Sequence, residues 1–108
     1  MVRNLEPNLA EVSVTQNPAR TATTFIVSHN RTGSNIEVDI EVFDLSGRLL
    51  WRHSDSGTAT TGTYTYNWNL TTETGAQLQT GVYLYRVRLG SDGSSKASKA
   101  KRLVVIRN

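Results

Sequence analysis

Residues 35–45 read NIEVDIEVFDL. In an extended chain successive side chains point to opposite faces, so Ile36, Val38, Ile40 and Val42 share one face while Glu37, Asp39 and Glu41 share the other. One buried face and one solvated face belong to an antiparallel sheet, because parallel strands are covered on both faces and read as continuous apolar runs. The chain then meets Asp44-Leu45-Ser46-Gly47. Asp is suited to bond the turn backbone and Gly to accept a positive φ, so residues 48–53 are expected to return as the partner strand of a hairpin.

Outward from this hairpin, period-two alternation continues in both directions and no segment carries a 3.6-residue stripe. Upstream, residues 9–15 (LAEVSVT) form a first strand that Asn17-Pro18 closes, and residues 23–29 form a second with Phe25 and Val27 on one face. Residues 30–34 are a polar turn. Downstream, a Ser/Thr/Gly stretch over 54–62 precedes a fifth strand over 63–70, with Tyr64, Tyr66, Trp68 and Leu70 on one face. Residues 71–80 are a loop. A sixth strand opens at Gly81 with Tyr83, Tyr85, Val87 and Leu89 inward and Arg86 and Arg88 outward, where the arginines can pair with the outward acids. Residues 90–98 read as a polar loop, and residues 99–107 as a seventh strand built on LVVI. Seven short strands with a turn signal about every ten residues predict an all-β fold, a seven-stranded antiparallel immunoglobulin-like Greek-key sandwich. Residues 1–8 are expected to be a flexible linker ahead of a single domain over 9–108.

A chain of 108 residues can bury roughly two thirds of its unfolded surface, enough for one core. It has no cysteine, so the sandwich has no disulfide and must hold by packing and hydrogen bonds. No apolar run reaches the length of a membrane span, and the first residues lack the apolar run of a secretory signal. Residues 1–85 carry five Lys/Arg against eight Asp/Glu, whereas residues 86–108 carry seven against one. The basic tail could make a phosphate-binding patch, but outer strand faces and edges are also basic for solubility and edge protection, and no nucleic-acid role is assigned.

Catalysis needs a nucleophile, base or metal set converging in a pocket. The two histidines, His29 and His53, end separate strands and have no metal-ligand spacing, and Glu37, Asp39 and Glu41 lie about 7 Å apart along one face, too open for a calcium cage. No phosphate-cradling glycine loop is present. The reading is a non-catalytic module without cofactor or metal. Trp51, Trp68 and the tyrosines could make a sugar platform, but their alternate spacing favours core packing.

In order along the chain stand Asn17-Pro18 followed by TATTFIV, then VDIEVFDLSGRLLW, then YTYNWNLTTETGAQLQTGVYLYRV, and last KAKRLVVIR. Together these resemble the C-terminal sorting domains of the bacterial type IX secretion system, which are similar in turn to the Ig-like domain of flagellar hook-capping proteins. The resemblance covers about residues 12–108. It implies a domain at the end of a larger exported protein, in transit through the periplasm and then at the outer-membrane cell surface or secreted. Its partners would be the type IX translocon and an outer-membrane β-barrel shuttle protein. Carried over to this sequence, partner recognition falls on Gly81, Tyr83, Lys99, Lys101, Leu103, Val104, Val105, Ile106 and Arg107, with Asp44, Gly47 and Arg48 as a fold-defining turn. An exposed terminal strand could be read by strand addition and its basic residues by an acidic partner. The resemblance also admits a retained domain of a machinery component such as the surface sortase. The alternatives are a structural Ig-like accessory module of the hook-cap type and a carbohydrate-binding sandwich. Exchange of the terminal strand beside the 90–98 loop would give a domain-swapped or edge-paired homodimer.

Overall fold

A computed structural model describes residues 9–91 and 93–107, and side chains from Glu11 onward. The linker expected over residues 1–8 lies outside the described residues. The described chain forms β1 (Leu9–Val14), β2 (Thr23–His29), β3 (Asn35–Phe43), β4 (Leu49–Thr58), β5 (Thr63–Trp68), β6 (Gly81–Ser91), β7 (Ser94–Ala97) and β8 (Lys101–Val105). Two sheets result, one in the order β1-β2-β5 and one in the order β4-β3-β6-β7, with β8 also paired to β6. Every named pair is antiparallel. The chain changes sheets between β2 and β3, between β4 and β5, and again between β5 and β6, the Greek-key crossing expected of an Ig-like sandwich.

The expected count of seven strands is corrected to eight among the described residues, because the last strand is broken in two. β7 pairs the upper part of β6 (Arg88–Ser91) and β8 the lower part (Gly81–Tyr85). At the break the Ser98 amide donates to Val87 O at 2.8 Å, and the Ser98 hydroxyl accepts the Val87 amide at 3.0 Å. A side-chain oxygen thus replaces a strand carbonyl. Residues 90–98, expected to be a loop, are mostly the β6–β7 hairpin. β4 likewise runs to Thr58 through five residues read as loop, and His53 lies within it rather than at its end. β5 stops at Trp68; Leu70 leaves the strand at φ 60° and is buried, filling the core from a loop.

Where β3 was read as half-buried it is so, with Ile36, Val38, Ile40 and Val42 inside. They meet Phe25 and Val27 of β2 and Val87 and Leu89 of β6 in one hydrophobic core. Its centre is aromatic: Phe25 stands 6.2 Å from Trp51, 5.7 Å from Trp68 and 5.6 Å from Tyr85 between ring centroids. Trp68 and Tyr85 are each 3% exposed, so these rings hold the two sheets together and offer no sugar platform.

Candidate docking region at the turn end of the sandwich

One end of the sandwich carries the β3–β4 turn, the start of β6 and the end of β8. The turn is built by Asp44, whose Oδ1 accepts from the Ser46 amide at 3.0 Å, the Ser46 hydroxyl at 2.6 Å and the Arg48 amide at 2.9 Å. These bonds favour the charged carboxylate and hold Asp44 below the usual carboxylate pKa, the Ser46 hydroxyl contributing most. Gly47 sits at φ 91°, where a side chain would strain the backbone. Arg48 leans on Asp44 at 3.5 Å but remains largely exposed. The fold-defining turn therefore has a physical basis in two of its three residues.

Of the nine residues singled out for partner recognition, two are buried, five half-buried and two exposed. Leu103 and Val105 of β8 are fully buried, and Val104, Ile106 and Arg107 are half-buried. Gly81 pairs with Val105, and a methyl group there would make only ordinary contact with the Tyr83 ring. Tyr83 packs against the core and its hydroxyl donates to Gln79 O at 2.7 Å; burial pushes its phenol pKa up. Lys101 donates its ammonium to Val12 O on β1. The Arg107 amide donates to Thr80 Oγ1 at 2.7 Å, and its guanidinium donates to Leu78 O at 2.9 Å and to Leu70 O and Arg20 O at 3.2 Å. Of the nine, Lys99 and Lys101 are exposed, and the Lys99 carbonyl accepts from the Ser98 hydroxyl at 3.1 Å.

β8 is also closed along its outer edge. Asn17 lays its side-chain amide there as if it were backbone, donating to Arg102 O at 2.9 Å and accepting from the Val104 amide at 2.9 Å. Two residues on, the Ala19 amide donates to Val104 O at 2.8 Å and Ala19 O accepts from the Ile106 amide at 2.9 Å. Strand addition to β8 would have to displace this segment, so the expected exposed terminal strand is corrected to a sealed one. In the sequence Asn17 marks the stop after β1 and opens the resemblance to the sorting domains. Its role along β8 has no periodicity to reveal it, because it depends on a partner 87 residues away.

Three of the seven cations of the basic tail, Arg86, Lys101 and Arg107, hold partners within the domain. Arg86 donates to Glu41 Oε1 through Nε at 3.1 Å and Nη2 at 2.7 Å, the cross-strand pairing expected of the outward acids and arginines. Arg52 approaches Asp39 at 3.4 Å. His29 and His53 do not converge: the His29 Nδ1 accepts the Arg31 amide at 3.0 Å, while His53 stacks on Tyr66 at 3.8 Å. Among the described residues no group of three or more His, Cys, Asp or Glu could hold a metal, and no helix is long and apolar enough to cross a membrane.

No family model and no curated protein matches the chain. Solved structures do. A segment of dimeric latent PorU from Porphyromonas gingivalis superposes on 90% of this chain with a TM-score of 0.80 and 33% identity. PorZ, an essential bacterial surface component of the type IX secretion system of the same organism, matches 89% of it with a TM-score of 0.53 and 27% identity. The chain is similar to domains of type IX secretion components. It spans only 9% of the PorU chain and 11% of the PorZ chain. A β-glucuronidase from Parabacteroides merdae, at a TM-score of 0.62 and 9% identity, shares the sandwich fold alone.

Proposed function

We propose that this chain is a non-catalytic C-terminal sorting domain that carries a larger exported protein through the type IX secretion system and docks it on an outer-membrane shuttle protein at the cell surface. The observation that carries this reading is the likeness to PorU and PorZ, which extends over nine tenths of the chain at 33% and 27% identity. The sealed fold supports it, since a module with a complete core can travel at the end of an unrelated protein. Catalysis, whether a sortase activity or another, would belong to the rest of that protein.

The test is a fluorescent reporter bearing a signal peptide and residues 1–108, expressed in a bacterium with type IX secretion. Protease-accessible reporter on the cell surface, against periplasmic reporter when the domain is absent, is the expected result. Periplasmic retention of a folded fusion would leave the structural-module reading in its place.

A further inference from the structure

The three exposed large hydrophobic side chains among the described residues are Leu45 at 65%, Leu49 at 44% and Val82 at 37%. Val82 is far in sequence from Leu45 and Leu49, yet strand register gathers all three. Phe43 pairs with Leu49 on one side and Leu84 on the other, and Val82 pairs with Val104. Leu45 stands in the turn two residues beyond Phe43. Because Val42, Tyr85, Leu103 and Val105 point into the core, their neighbours Phe43, Leu84 and Val104 point outward. The outer face of the larger sheet is therefore divided. Its far part is a polar ladder of Glu37, Asp39, Arg52 and Arg88, and its turn end is an apolar patch of the six residues above.

The rim of the patch is cationic. Arg48 and Arg102 are exposed on either side of it, Arg48 also 3.5 Å from Asp44 Oδ2, whereas the acids beside the patch are committed, Asp44 within its own turn, Glu41 to Arg86 and Glu73 to the Arg52 amide. The Arg86 guanidinium lies 5.5 Å from the Phe43 ring centroid and closes the border towards the polar ladder. The edges beside the patch are not available: β8 is capped by Asn17 and Ala19, and at β4 the Glu73 amide donates to Leu50 O at 3.1 Å while Glu73 Oε1 accepts the Arg52 amide at 2.6 Å. A partner can meet this end only through side chains on the face.

Resting on the sorting reading above, we infer that this patch is the docking surface, and that its occupant is a partner protein presenting apolar side chains with carboxylates placed for Arg48 and Arg102. Six side chains offer an area on the order of a few hundred Å². A stable homodimer needs about 1,200–2,000 Å² in total, so a second copy is not held by the patch alone. Two arginines on a flat sheet give a lipid surface only about 1 kcal/mol each. Opposite charge around a small apolar centre suits a transient, steered encounter with a larger protein. β1 begins against His29 at the other end, so a parent joined ahead of Leu9 enters away from the patch.

The reporter fusion of residues 1–108 tests this with Leu45→Asp combined with Leu49→Asp, with Arg102→Glu, and with Thr65→Asp on the outer face of the other sheet as control. Melting temperatures of the purified domains establish that each is folded. The double variant is expected to lose surface display at least about tenfold, Arg102→Glu to lose less, and Thr65→Asp to match the parent. Display of the folded double variant at the parental level overturns the inference and leaves the sorting reading standing. If the parent fusion itself stays in the periplasm, the sorting reading falls and the docking surface with it. A parent domain that is dimeric by light scattering and made monomeric by the double variant would make the patch a self-contact. Parent binding to phosphatidylglycerol vesicles that the double variant loses would make it a lipid contact. Either result overturns the proposal.

Discussion

β8 and the β3–β4 turn lie at the same end of the molecule and were both marked from the sequence, yet they are held in opposite ways. β8 has β6 on one edge and the Asn17–Ala19 segment on the other, with Leu103 and Val105 fully buried. The turn is fixed from within by one carboxylate and one glycine, and displays Leu45 and Leu49 to solvent. A residue can thus matter to a sorting domain because it completes the fold or because a partner touches it. Deleting the end of the chain cannot separate the two, since it removes core side chains.

Substitutions that leave the chain length intact separate them. Leu103→Ala removes a fully buried side chain and is expected to cost about 2–5 kcal/mol, read as a lower denaturation midpoint with unchanged slope. An unchanged midpoint would mean that β8 is not part of the core. Asn17→Ala leaves the Val104 amide and Arg102 carbonyl to water at a partly exposed site, for about 1 kcal/mol. Gly47→Ala is expected to cost a similar ~1 kcal/mol from φ strain alone, because no atom of the described residues stands within 4 Å of the added methyl group. Leu45→Ser should change stability by less than about 0.5 kcal/mol while display falls, and a large loss of stability would dissolve the contrast.

A smaller effect comes from the opposite end. Burial holds His29 below its ordinary pKa, and its Nε2 has no hydrogen-bond partner among the described residues. The unfolded chain therefore takes up a proton near pH 6.5 that the folded chain resists, so this contribution is present above that pH and is lost as pH falls. Melting temperature is expected to drop modestly between pH 7.5 and 5.5 in the parent and less in His29→Gln. Equal drops in both would assign the dependence to other groups.

What the sequence makes legible follows what alternation can encode. β3 has one apolar and one acidic face, and the turn after it needs particular residues at particular backbone angles, so the hairpin, its register and the antiparallel class are readable. β7 and the second half of β4 are exposed along SSKA and SDSGT, and a strand with no buried face leaves no pattern. In β8 the alternation is visible, and it places Leu103 and Val105 in the core and Val104 on the outer face. Leu45 and Val82 passed unnoticed because a lone exposed Leu or Val is ordinary. They become a surface only when register brings β3, β4, β6 and β8 side by side.

The claim on which this contrast rests is that the last strand is closed on its outer edge by its own chain. Amide hydrogen exchange of Val104 and Ile106 tests it most directly, since these amides point away from β6 and have Asn17 Oδ1 and Ala19 O as acceptors. Protection comparable to that of the inward Leu103 and Val105 amides is the expected result. Exchange at the rate of a free edge, with Leu103 and Val105 still protected, would contradict it and return the terminal strand to candidacy as the partner's template.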